Sequence, residues 1–155
     1  MNTWDGLAAA LAEVLPALPE EGVLQLHEAA DPEEGRYAQL WRHAQALHAE
    51  IAPAPSRAVA GQAAAEPAGT QRRMAAAGWL PPNDEHVNWW LGLDLPAAPE
   101  AYRELTVRLV AAMRDGFGLD SPTELAYRAW STDGPLTLAE LGLPSVSVEY
   151  FTRLG

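Results

Sequence analysis

The residues of this 155-residue chain that could do chemistry are four histidines and a few clustered carboxylates. His43, His48 and Glu50 stand close together, and Asp84, Glu85 and His86 form a second group. Imidazole and carboxylate are the ligands of a small zinc site, or the proton carriers of a general acid–base pair. If the first group lies on strands, His48 and Glu50 share a face, because even steps share one, while His43 depends on the turn between strands. A zinc site needs ligands that converge, and no histidine pair here has the i, i+4 helical spacing that brings two onto one metal. Half-exposed strand and loop histidines are the simpler expectation. The acidic pairs Glu20-Glu21, Glu33-Glu34 and Asp84-Glu85 fall in turns, where solvated carboxylates keep ordinary acidity. No serine sits in a Gly-x-Ser-x-Gly elbow, and neither Gly-x-Gly-x-x-Gly nor a phosphate-loop motif occurs.

Composition removes further classes. Every one of the 10 basic residues is arginine, so there is no lysine for a Schiff base or a phosphate loop. Against them stand 21 acidic residues, for a net charge of −11. That balance argues against nucleic acid, whose affinity rests on bases clustered against phosphates, and against anionic membrane surfaces. The absence of cysteine excludes disulfides, thiolate-held metals and thiol nucleophiles. No apolar run approaches the ~20 residues that span a bilayer. The opening Met1-Asn2-Thr3-Trp4-Asp5 lacks the basic start of a signal peptide. The expectation is an acidic cytoplasmic protein that is not an enzyme and carries no metal or other cofactor.

The aromatic supply is what stands out. Of six tryptophans, Trp41, Trp89, Trp90 and Trp130 fall in strand-like runs, and tryptophan and tyrosine dominate binding hot spots. Trp4 and Trp79 are expected to fill an alanine-rich core. The Trp89-Trp90 pair must put one indole on each face of its strand, so one of the two is a candidate for exposure.

Positioning these side chains falls to a short series of elements. Trp4, Leu7, Ala8, Leu11 and Leu15 recur at helical steps and predict a helix over 4 to 15, stopped by Pro16. Period-two alternation predicts strands over 23 to 28, 36 to 43 and 46 to 52, joined by loops too short for parallel crossovers. An Ala/Pro-rich surface excursion over 53 to 69 follows. The remaining elements are a helix over 70 to 77 ended by Gly78, a strand over 87 to 91, a helix over 100 to 117 and a strand over 123 to 131. Strand runs with helices between them predict a two-layer α+β fold, a twisted antiparallel sheet of about five strands with helices packed on one side. Trp4, Leu7, Leu11, Leu24, Leu26, Leu105, Leu109 and Met113 are its expected core. One domain over 1–131 and a tail over 132–155, docked on the domain or on a partner, is the expected organisation.

Short motifs carry a resemblance. The helix Trp4-x-x-Leu7-Ala8-x-x-Leu11, the strand start Gly22-Val23-Leu24, Tyr37-Ala38-Gln39-Leu40, Ala49-Glu50, Gly78-Trp79-Leu80-Pro81-Pro82, Asn88-Trp89 and Pro122-x-x-Leu125-x-Tyr127 together resemble the actinobacterial TY-Chap domains. These are grouped with type III secretion chaperones of the CesT kind and with YbjN proteins as peptide-binding, chaperone-like folds. The resemblance implies an α+β secretion-chaperone-like fold and a non-enzymatic role, the binding of a partner polypeptide or peptide. An acidic surface favours a basic or arginine-rich client. The expected partner-binding residues are Tyr37, Gln39, Trp41, Trp89 and Trp90, or an unpaired strand edge. One alternative is a small metal-binding protein or enzyme using His43, His48, Glu50 and His86, which predicts that these residues meet in space. A structural homodimer formed through the apolar tail Val146 to Phe151 is the other.

Overall fold

A computed structural model describes residues 3–30, 36–52, 68–86 and 88–146. The first helix, α1 (Trp4–Val14), starts where the Thr3 side chain accepts from Gly6 N at 2.9 Å and turns Leu7, Ala8, Leu11 and Val14 inward. A 3-10 turn over Leu15–Ala17, carrying Pro16, ends it. Three strands follow, β1 (Val23–Glu28), β2 (Tyr37–Arg42) and β3 (Ala46–Ala52), each antiparallel to the next. The short helix α2 (Ala68–Ala76) leads to β4 (Trp89–Asp94). The long helix α3 (Pro99–Phe117) begins with proline, whose missing N–H costs nothing in a first turn. It stops at Gly118, whose φ of 67° is the left-handed cap that glycine adopts without strain. Last come β5 (Leu125–Ser131) and the two-residue β6 (Gly134–Pro135).

The architecture is α+β. One antiparallel sheet of six strands, ordered β4-β3-β2-β1-β5-β6, carries the helices on one side. The sixth strand is the departure from the expected five: Asp133-Gly134 turns the chain back so that Pro135 pairs with Trp130. A two-residue strand has no period to read. The 3-10 turn over Pro122–Glu124, closed by a capping box between Ser121 and Glu124, shortens the start of β5.

Core composition follows the two periods. Leu24, Leu26, Leu40, Leu47 and Ile51 from the sheet meet Leu11, Leu109 and Met113 from α1 and α3, all with essentially no exposed surface. Trp4 is only partly buried, packed at the rim where α1 begins, and so is not the core residue its helical phase predicts. Trp79 is buried, as expected. Arg36 ties the sheet to the end of α3: its guanidinium donates to Glu28 Oε1 at 2.7 Å and to the Gly116 carbonyl at 3.2 Å, and lies over the Phe117 ring. Beyond Ser131 the chain stays on the domain as far as Val146: Leu138 N donates to the Tyr127 hydroxyl, Leu141 is buried, and Ser145 bridges Tyr127. The expected contact segment Val146 to Phe151 lies outside the described residues after Val146, as does the excursion as far as residue 67.

Candidate functional site

Strand parity sorts the sheet into two unlike faces. Leu24, Leu26, Ala38, Leu40, Leu47, Ala49, Ile51, Leu91, Leu125 and Tyr127 point to the helices and are buried. The opposite parity forms a second face that no described helix covers: it is buried at Val23, His27, Ala52, Ala126 and Arg128 and opens only around Gln25, Gln39, Trp41, His48, Glu50 and Trp90. Register sets its rows: Val23 pairs with both Trp41 and Trp130, Trp41 with His48, and His48 with Gly92. The neighbouring row runs Arg128, Gln25, Gln39, Glu50, Trp90. Side chains directly opposite on adjacent strands touch, so the sequence positions are converted here into contacts.

Five rings form a continuous line across this face. Trp41 lies 4.5 Å from His43, His43 is 4.7 Å from His48, His48 is 5.8 Å from His86, and His86 is 4.1 Å from Trp90, all between ring centroids. The last pair is stacked, with planes 16° apart. His43 comes from the β2–β3 turn, where its N–H donates to the Ala46 carbonyl. His86 comes from a turn held by Asn83, whose side-chain oxygen accepts from Glu85 N and His86 N at 2.9 and 2.8 Å. Ahead of that turn, Trp79 is buried, Leu80 exchanges both backbone hydrogen bonds with Trp90, and Pro81-Pro82 ends the pairing because proline has no N–H. Gly78, at φ 95°, makes the bend that starts this path. The Gly-Trp-x-Pro-Pro motif is thus the device that lays His86 on Trp90.

Polar groups frame the rings. Glu50 Oε1 sits 3.4 Å from His86 Nδ1, and Glu21 lies 3.9 Å from His43 Nδ1. Gln25 donates to Gln39 at 3.0 Å, and Asn88 donates to the Tyr37 hydroxyl at 2.8 Å. Burial holds His48 below the ordinary imidazole range, with His43 and His86 pushing the same way and Glu50 opposing them. His27, on the same face beside Tyr37, is buried rather than half-exposed. Burial lowers its pKa too, against a raising contact with the Glu28 carbonyl and with a smaller lowering effect of Arg128.

Of the five expected partner-binding residues, Tyr37, Gln39, Trp41 and Trp90 lie on the open face, and Trp41 is 39% exposed. Trp89 does not join them. It shares the parity of Leu91 and Leu93, is only 5% exposed and belongs to the core cluster. A strand read only over 87 to 91 leaves the two indoles equivalent. Extended to Asp94, it alternates Trp89, Leu91, Leu93 against Trp90, Gly92, Asp94, and that signal separates them. His43, His48, Glu50 and His86, the residues of the metal or enzyme alternative, do come together, on this same face. Among the described residues, however, no three His, Asp or Glu side chains are placed to hold a metal ion.

A second concavity lies on the helix side, an open apolar groove of about 450 Å³ between α2 and α3 whose lining includes Met74, Ala77, Val107 and Ala111. No described helix is long and apolar enough to cross a membrane.

Comparison with known protein families gives a match. A family model described as T3SS (YopN, CesT) and YbjN peptide-binding chaperone 3, TY-Chap3, fits residues 1–131. That description is of chaperones and not of enzymes. No curated protein and no solved structure matches the chain.

Proposed function

Because the chain belongs to the T3SS (YopN, CesT) and YbjN peptide-binding chaperone 3 family, we propose that it is a non-enzymatic, chaperone-like protein of the bacterial cytoplasm that holds an extended peptide or protein segment on the open face of its sheet. The observation that carries this reading is the five-ring line from Trp41 to Trp90. Rigid aromatic rings offer contact area at little entropic cost, which is why they dominate recognition surfaces. Around them Gln39, Tyr37 and Glu50 supply hydrogen-bonding groups that fix an incoming backbone. The outer edge of β4 supports the same reading: past the bridge to Leu80, Gly92 has no backbone partner on that side among the described residues, which suits addition of a strand. Tyr37, Gln39, Trp41 and Trp90 are the contact residues in this proposal, and Trp89 is not one of them.

An array of short extended peptides, probed with the wild-type chain and with Trp41→Ala, tests it. Binding of a subset that Trp41→Ala loses is the expected result. Binding unaffected by Trp41→Ala and by Trp90→Ala would move the site off this face.

A further inference from the structure

Charge is distributed unequally between the two faces of the sheet. Of the described arginines, Arg72, Arg73, Arg103, Arg108 and Arg114 are on α2 and α3. Arg36 and Arg42 reach toward the helix side, to the Gly116 and Leu18 carbonyls. Only Arg128 belongs to the open face, and it is 4% exposed. Around the ring line stand carboxylates instead: Glu21 beside His43, Glu50 beside His86, and Asp94, which shares the parity of Trp90 at the sheet edge.

Resting on the reading that this face binds peptides, we infer that the segment it accepts carries arginine, with a guanidinium lying over the Trp41–Trp90 ring line and hydrogen-bonded to Glu50. Guanidinium is the weakly hydrated cation that stacks on aromatic faces, and its fork of donors fits a carboxylate. The imidazole rings of His43, His48 and His86 extend the aromatic platform between the two indoles. Gly92, opposite His48, leaves the ring uncovered on that side, since a Cβ there would meet nothing closer than 3.8 Å.

The same rings make the site sensitive to protons. Each imidazole that gains a proton puts a cation under the guanidinium. The groups facing the line are Glu21 from the turn before β1, His43 from the β2–β3 turn, His48 and Glu50 from β3, His86 from the turn before β4, and Asp94 at the end of β4. His27 and Arg128 lie farther across the sheet on β1 and β5. Ring protonation therefore sets repulsion of an incoming guanidinium against the attraction of the carboxylates.

The test is a titration of the full chain, followed by amide and indole NMR, with a short peptide alternating serine and arginine, against the same peptide with citrulline for arginine. Citrulline keeps the shape and removes the charge. At pH 7.5 the arginine peptide should bind about tenfold or more tightly than the citrulline peptide, shifting the Trp41 and Trp90 indole signals. That preference should fall about tenfold at pH 5.5, with the dispersion of the free spectrum reporting that the fold persists. Glu50→Gln should remove most of the preference at pH 7.5, and the triple variant His43→Gln, His48→Gln, His86→Gln should flatten its pH dependence. Equal binding of both peptides at this face, or a preference indifferent to pH, overturns the arginine inference and leaves peptide binding standing. No shift at this face with either peptide overturns the arginine inference, and no hit in the peptide array as well overturns the function itself.

Discussion

His86 lies flat against Trp90, ring centroids 4.1 Å apart and planes 16° from parallel, although the histidine belongs to a turn and the tryptophan to a strand. Asn83 fixes the turn that presents the histidine, its side chain accepting from the N–H groups of Glu85 and His86. Asn83→Ala should therefore cost about 1 kcal/mol in a urea melt, the net worth of such hydrogen bonds. It should also release His86, visible as a shift of the Trp90 indole signal.

Leu109 and Trp41 lie on opposite sides of the sheet and should fail differently. Leu109 is fully buried between α3 and the sheet, so Leu109→Ala should cost about 2–5 kcal/mol. Trp41 is 39% exposed, and Trp41→Ala should cost under about 1 kcal/mol while weakening peptide binding. Urea melts of both variants, run beside the peptide titration, make the comparison.

Stability should fall on acidification. His27 and His48 both have their pKa lowered in the fold from an ordinary value of 6.5, chiefly by burial. The unfolded chain then takes up protons that the folded one refuses. Their contribution is fully present above about pH 6.5 and is lost as the pH falls below it, by at most about 1.4 kcal/mol per pH unit for each histidine. Among the described residues the ring atom Nε2 of His27 is buried without a hydrogen-bond partner, so His27→Leu should keep the fold at pH 7.5 and flatten this slope. Urea midpoints between pH 7.5 and 5.5 measure it.

Much of the fold was legible because period and burial agree. β1 and β3 run over Val23–Glu28 and Ala46–Ala52, as the alternation predicts, and Tyr37, Gln39 and Trp41 share the face that parity assigns them. The site was legible only in part. Which of Trp89 and Trp90 faces outward depends on where β4 ends, and Gly92 and Asp94 near its end are poor strand formers. That His43, His48 and His86 meet the tryptophans is a tertiary fact. It depends on the Asn83 turn, on the Leu80 bridge and on the β2–β3 register, and none of these leaves a periodic trace in the sequence.

Mapping where a bound peptide lies tests the central claim most directly. With an isotope-labelled chain and a peptide selected from the array, the amides of Tyr37 to Trp41, His48 to Glu50 and Trp90 to Gly92 should shift together, along with the indole signals of Trp41 and Trp90. The groove residues Val107 and Ala111 should stay unmoved. Shifts that gather instead at Met74, Val107 and Ala111, with the open face silent, would contradict the claim and place the client between α2 and α3.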